Sequence, residues 1–253
     1  MSDAALAAAS IAASPDYSVI IPAYNEEQFL PATLASVQAA MQAVADLRGE
    51  LIVTDNNSTD QTAAVAARAG ARVVAEPHRQ IARARNTGAA ASRGRFLVFV
   101  DADTLITPQL LAAALAALAG PGCCGGGTTV TFDDDEKAFI RYSARAWTAL
   151  SRTFKWACGA FVFCRRDAFE AIGGFDERYY ASEEIHLSRA LSRWGRRHGM
   201  KMRILNLPIR TSVRKLHWFG VRRMLAMMGK FVCCPWLVRD RKHCWLWYER
   251  PQG

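Results

Sequence analysis

The sequence lacks any apolar run long enough to cross a bilayer. No stretch reaches about 18 uncharged apolar residues, which excludes a transmembrane helix of ordinary length. Met1–Ser14 is rich in Ala and Ser but has neither a basic start nor a strong apolar segment, so no signal peptide is expected. A cytoplasmic location follows as the expectation, with the thiols kept reduced. The cysteines stand as Cys123-Cys124, Cys158, Cys164, Cys233-Cys234 and Cys244, and none has the two-residue spacing of a zinc site. They read as small buried apolar side chains. Internal repeats are absent, as is any nucleic-acid fold signature, so no nucleic-acid partner is expected. Acidic residues are scarce at one end: residues 185–253 hold 16 Lys and Arg but only Asp240 and Glu249, a balance of +14, whereas residues 1–184 balance at −5. Five of the seven tryptophans (Trp194, Trp218, Trp236, Trp245 and Trp247) share that basic stretch. Cations mixed with tryptophan suit an anionic membrane surface, with a peripheral position on the inner face of the plasma membrane as the corresponding expectation.

What is present is a succession of strands and helices. Tyr17–Pro22 reads as a buried strand. Leu30, Leu34, Val37, Met41 and Val44 mark one helical face. Strands are expected over Glu50–Asp55, Arg72–Glu76 and Arg95–Val100, with a short helix capped by Ser58 or Thr59 and running through Arg68, and another over Ile81–Ser92. Pro108 starts a helix through Ala119, and Gly125-Gly126-Gly127 predicts a turn before a strand over Thr128–Phe132. Asp133–Glu136 reads as an exposed turn, Lys137–Trp156 as a helix, Gly159–Cys164 as a strand, Gly173-Gly174 as a turn, Glu183–His198 as a long helix, Met202–Leu207 as a late strand and Phe219–Val232 as an amphipathic helix. This alternation predicts an α/β fold: a mostly parallel sheet flanked by helices. The organisation expected is a disordered Ala-rich tail over residues 1–15, one α/β domain over 16–215, and a basic, aromatic, helical extension over 216–253.

The most informative feature is Phe96-Leu97-Val98-Phe99-Val100 followed by Asp101-Ala102-Asp103. A continuous apolar run suits a strand buried on both faces, and ligands of open α/β sheets bind at the carboxyl ends of such strands. Two carboxylates there are hard oxygen ligands suited to Mg²⁺ or Mn²⁺ carrying a phosphorylated substrate. Two other strand ends are polar as well: Pro22-Ala23-Tyr24-Asn25-Glu26-Glu27 and Asp55-Asn56-Asn57-Ser58-Thr59-Asp60. Arg83-Ala84-Arg85-Asn86 can bring guanidinium groups, which match phosphate oxygens and planar bases, toward the same edge.

Together with Gly173-Gly174-Phe175-Asp176-Glu177 and Ser182-Glu183-Glu184, these motifs resemble, over about residues 17–215, the family-2 glycosyltransferases with their nucleotide-sugar-binding GT-A fold. The resemblance implies an inverting, divalent-metal-dependent transferase that moves a sugar from a nucleotide-sugar donor, UDP-linked, to the hydroxyl of a sugar or lipid-linked acceptor such as a cell-envelope glycan. It places Pro22, Ala23, Tyr24 and Glu26 at the nucleoside and Asp55 on the base. Arg85 falls near the base or diphosphate, Asp101 at the ribose or assisting the metal, and Asp103 on Mn²⁺ or Mg²⁺, with Arg83 and Ala102 also among the substrate-binding residues. Glu184 stands where the family carries its catalytic carboxylate after a glutamate; the pair Glu183-Glu184 leaves the choice between them open. His217 is a candidate further metal ligand. Two rival readings exist. Val98–Thr104 also fits the nucleophile motif of haloacid-dehalogenase-like phosphatases, although some 80 residues of α/β pattern precede it and the downstream acidic pair that this chemistry needs is missing. The basic stretch alone would suit a non-catalytic module binding membranes or nucleic acid.

Overall fold

A computed structural model describes residues 14–132, 148–211 and 220–249. In chain order the elements are β1 (Tyr17–Ala23), α1 (Leu30–Gln42), β2 (Gly49–Asp55), α2 (Thr62–Arg68), β3 (Arg72–Ala75), α3 (Ile81–Ala91), β4 (Phe96–Val100), β5 (Thr104–Leu105), α4 (Pro108–Ala119), β6 (Cys123–Phe132), β7 (Phe161–Arg165), α5 (Arg166–Ala171), α6 (Glu183–Arg197), β8 (Lys201–Thr211), α7 (Val221–Cys233) and α8 (Trp245–Tyr248). Two 3₁₀ turns, Pro235–Arg239 and Arg241–His243, join the last two helices. The Ala-rich start (residues 1–13), Asp133–Glu136, most of the expected Lys137–Trp156 helix and His217 lie outside the described residues. Residues 148–154 of that helix are helical.

The eight strands form one sheet in the order β3-β2-β1-β4-β7-β6-β8-β5. Strands β3, β2, β1 and β4 are parallel, as are β6 and β8; β7 runs antiparallel to both β4 and β6, and β5 antiparallel to β8. The sheet is therefore mixed but mostly parallel. Strand β4 is buried along its whole length, and its side chains divide between two cores by the two-residue period of a strand. Phe96, Val98 and Val100 meet Leu30, Leu34 and Val37 of α1 and Leu111, Leu115 and Leu118 of α4. Leu97 and Phe99 meet Ala82 and Ala89 of α3, Phe169, Phe175, and Leu187 and Leu191 of α6. Each fully buried side chain of this size contributes roughly 1.5–3 kcal/mol, which is why an unbroken apolar run belongs at the centre.

The glycine triplet departs from the sequence expectation. Gly125-Gly126-Gly127 lies inside β6 rather than in a turn. A Cβ on Gly126 would stand 2.0 Å from the carbonyl oxygen of Arg203, and one on Gly127 would stand 2.7 Å from the Cβ of Ala157. The glycines serve close backbone approach, not a change of direction. The start of α2 also differs. Neither Ser58 nor Thr59 caps it; Asp60 Oδ1 accepts from the Thr62 amide at 2.9 Å, while Ser58 and Thr59 bond Asn25. Strand β8 is longer than expected, and its far end gains β5 as an antiparallel partner.

Candidate active site

The carboxyl ends of the parallel strands converge on one edge of the sheet. Ala23 and Asp55 stand opposite each other in the β1–β2 register, and Pro22 sits one step back, half-buried. Asp55 Oδ1 is buried with no hydrogen-bond partner among the described residues. A buried acceptor left unpaired costs free energy, so a donor group on a ligand would be favoured there.

The polar motifs hold one another. The Asn25 amide donates to Ser58 Oγ at 3.0 Å, and the Thr59 amide donates to Asn25 Oδ1 at 2.8 Å. Asn25 adopts a φ of 50°, a left-handed conformation that asparagine tolerates. The Glu26 amide donates to Thr62 Oγ1 at 2.8 Å and the Glu27 amide to Asp60 Oδ2 at 3.2 Å. Asn56 Nδ2 reaches the carbonyls of Glu76 and His78 at 3.0 and 2.7 Å. These bonds tie the loops after β1, β2 and β3 into one unit. Glu26 is buried within it.

At the end of β4, Ala102 is buried and its carbonyl accepts from Thr33 Oγ1 at 2.8 Å. Asp101 and Asp103 are half-buried. Arg85, 2% exposed, reaches Asp101 Oδ1 at 2.8 Å, Glu183 Oε1 at 2.6 Å and the Gly159 carbonyl at 3.0 Å. Its guanidinium lies 5.1 Å from the Phe175 ring centroid. Burial opposes its charge, yet Asp101, Glu183 and Glu184 hold its pKa above the ordinary arginine value. Arg85 is thus turned inward as the joint between β4 and the start of α6. Arg83 points elsewhere, pairing with Glu177 at 3.2 Å and with Gln80 Oε1 at 3.2 Å. Asn86 holds Phe175 by both backbone groups, each at 2.9 Å, and so docks the Gly173-Gly174 turn, where φ is +80° and +74°.

Glu183 and Glu184 open α6 but stand in different surroundings. Glu183 is buried against Arg85. Glu184 makes no ion pair among the described residues. Burial, with the Glu183 charge adding, pushes its pKa up to about 8. A carboxylate raised in this way can take a proton near neutral pH. His186 faces away, its ring stacked on Tyr179 at 3.7 Å. Cys158, beside the cluster, has its thiol pushed up to about 12 by burial and so remains protonated and inert.

Among the described residues, no group of three or more His, Cys, Asp or Glu could hold a metal by itself. Asp101 and Asp103 nonetheless fit Mg²⁺ or Mn²⁺, because such cations are commonly held by one or two carboxylates together with substrate phosphates. Sequence reasoning missed several parts of this site. The Gly159 carbonyl holds Arg85, the Arg79 guanidinium stacks 3.7 Å from the Tyr24 ring centroid, and Tyr248 packs beside the same loop. A backbone acceptor carries no residue-type signal, and Arg79 and Tyr248 are 169 positions apart.

Residues 18–173 match the family model for "Glycosyl transferase family 2". The chain belongs to that family. An uncharacterized glycosyltransferase of Mycobacterium tuberculosis is 43% identical over 86 residues, covering 34% of this chain and 36% of that protein. Validoxylamine A glucosyltransferase of Streptomyces hygroscopicus subsp. limoneus is 36% identical over 123 residues, covering 44% of this chain and 27% of that protein. The matched stretches thus span about a third of those relatives' lengths. The fold is the GT-A fold of solved glycosyltransferases. A Pyrobaculum calidifontis mannosyltransferase in complex with GDP-Man and Mn²⁺ superposes with a TM-score of 0.63 at 20% identity, over 93% of this chain and 70% of that one. Glucosyl-3-phosphoglycerate synthase of M. tuberculosis, solved with Mn²⁺, UDP and glucosyl-3-phosphoglycerate, superposes with a TM-score of 0.60 at 23% identity, over 91% and 81%. Among the described residues, no helix is long and apolar enough to cross a membrane.

Proposed function

We propose that this family-2 chain is an inverting glycosyltransferase that uses a UDP-linked sugar and an acceptor hydroxyl, with Glu184 as the general base. The observation that carries the reading is the Arg85 joint. It brings Asp101, at the end of β4, and Glu183, at the start of α6, onto one guanidinium, so that the raised-pKa Glu184 lies beside the acidic edge of the sheet.

The chemistry follows from these placements. Glu184 takes the proton of the acceptor hydroxyl, and the oxygen attacks the anomeric carbon. The bond from that carbon to the diphosphate oxygen breaks, and its electron pair leaves with the nucleoside diphosphate. One displacement inverts the anomeric centre. A divalent cation held by Asp103, with Asp101 beside it, would neutralise the charge that grows on the diphosphate. Asp55 Oδ1, buried and unpartnered among the described residues, suits the N–H of a uracil, while Ala23, Tyr24 and Glu26 line that end of the cleft. Glu183 serves as the counterion of Arg85 rather than as the base, because its carboxylate is already engaged.

Solved neighbours crystallised with UDP or with GDP-Man, and with Mn²⁺ or Mg²⁺, agree with a nucleotide-sugar donor and a divalent metal. Asp103→Ala should abolish metal-dependent UDP binding in calorimetry. Glu184→Gln should leave that binding intact while turnover falls at least about a hundredfold. Unchanged turnover in either variant refutes the assignment.

A lipid-linked acceptor at an anionic membrane surface is part of the proposal, on a separate observation. Trp236 is 62% exposed and lies in a segment that also presents Arg239, Arg241 and Lys242. Salt-sensitive sedimentation with phosphatidylserine vesicles is expected; the absence of binding at low salt removes this part.

A further inference from the structure

The segment that follows α7 packs on the donor side of the site. Val238, Cys244 and Tyr248 are buried against Tyr179 and Ala181, with Ile81 and Tyr180 packed beside them. The Tyr180 amide donates to the Val238 carbonyl at 2.8 Å, and Arg239 Nη2 donates to the Tyr179 hydroxyl at 2.9 Å. The Tyr248 ring meets the Tyr180 ring edge-on, centroids 5.6 Å apart. These contacts seat the segment on residues 179–181, two positions before Glu183.

The same segment reaches the loop after β3. The Tyr248 hydroxyl accepts from the Ile81 amide at 3.3 Å, at the first residue of the helix that carries Arg85. The Tyr248 carbonyl accepts a hydrogen bond from Arg79 Nη2. The Arg79 guanidinium also lies over Tyr24, its carbon 3.7 Å from the ring centroid. A cation over an aromatic face is worth about 0.5–2 kcal/mol, and a guanidinium bonded at one edge loses less freedom in holding that pose. The result is one continuous connection from the end of the described chain to the loop after β1.

We propose that Arg79 and Tyr248 are positioning residues for the donor nucleotide: the Tyr248 carbonyl anchors the Arg79 guanidinium, and Arg79 fixes the Tyr24 ring at the nucleoside end of the cleft. The inference rests on the donor-site reading above and extends it to residues 169 positions apart in sequence. It makes the Pro235–Tyr248 segment a working wall of the site.

Calorimetric titration of UDP with Mn²⁺ into the full chain tests it. Arg79→Ala should weaken UDP binding about tenfold, and Arg79→Lys, which keeps the charge but loses the planar fork, about three- to fivefold. Tyr248→Ala, which keeps the backbone carbonyl but removes the ring that seats the segment against Tyr180, should approach Arg79→Ala, while Tyr248→Phe, which keeps that packing and loses only the hydroxyl bonded to the Ile81 amide, should stay within about twofold. In steady-state assays the donor KM should rise by the same factors while kcat at saturating donor holds within about twofold; a merely structural role would not produce that split. Arg79→Ala that melts like wild type and binds UDP equally well overturns the inference, as does a fall in kcat with donor KM unchanged. If Arg79→Ala does not fold, unchanged binding by Arg79→Lys overturns it. Wild-type protein that takes up no UDP overturns the donor-site reading and this inference with it, whereas uptake that the variants match overturns the inference alone.

Discussion

Arg85→Ala tests the joint on which the site depends. The substitution removes a guanidinium that is 2% exposed and leaves the 5% exposed Glu183 carboxylate unpaired. Breaking a buried pair from one side costs about 3–5 kcal/mol, because the surviving charge remains desolvated. Losing the bond to the Gly159 carbonyl, at 3.0 Å, adds about 1 kcal/mol. Against a total stability of about 5–15 kcal/mol, the variant should be folded but fragile. With a urea dependence of about 3 kcal/mol per molar, the unfolding midpoint should drop by about 1–2 M at pH 7.5. Glu183→Gln keeps an acceptor for Arg85 and should cost less than Arg85→Ala. A midpoint within about 0.3 M of wild type refutes a buried load-sharing pair.

Glu184 makes stability depend on pH. Its folded pKa is raised, so the native state is most stable below about pH 4.5 with respect to this group and loses that contribution as pH climbs toward the raised value. Glu184→Gln should therefore stabilise the protein more at pH 8.5 than at pH 5 in thermal unfolding, while wild-type kcat/KM rises with pH through the same range. Gly126→Ala should cost about 3 kcal/mol or abolish soluble expression, since its Cβ would overlap the Arg203 carbonyl; denaturant unfolding reads this directly. Asn86→Ala leaves both backbone groups of Phe175 without their side-chain partner and should lower stability by about 1–3 kcal/mol, measurable by the same unfolding curves.

Most of the α/β order was legible in the sequence, because buried strands and amphipathic helices write their periods into apolar residues. The unbroken run Phe96–Val100 could only be a central strand, and the carboxylates after it could only sit at the sheet edge. The glycine triplet was misleading, since glycine marks a turn and a close approach equally well; only the neighbouring backbones of Arg203 and Phe163 separate the two. The start of α2 was misplaced because Ser58 and Thr59 are recruited by Asn25, more than 30 positions away.

The list of chemical groups was likewise contained in the sequence: three polar strand ends, an arginine motif and a glutamate pair. Their pairing was not. That Arg85 turns inward, that Glu183 is engaged while Glu184 has its proton affinity raised, and that Tyr248 braces Arg79 depend on distances between segments far apart along the chain. Local patterns reflect the residue's own solvent exposure, whereas ion pairing and desolvation depend on which distant segments the fold packs against it.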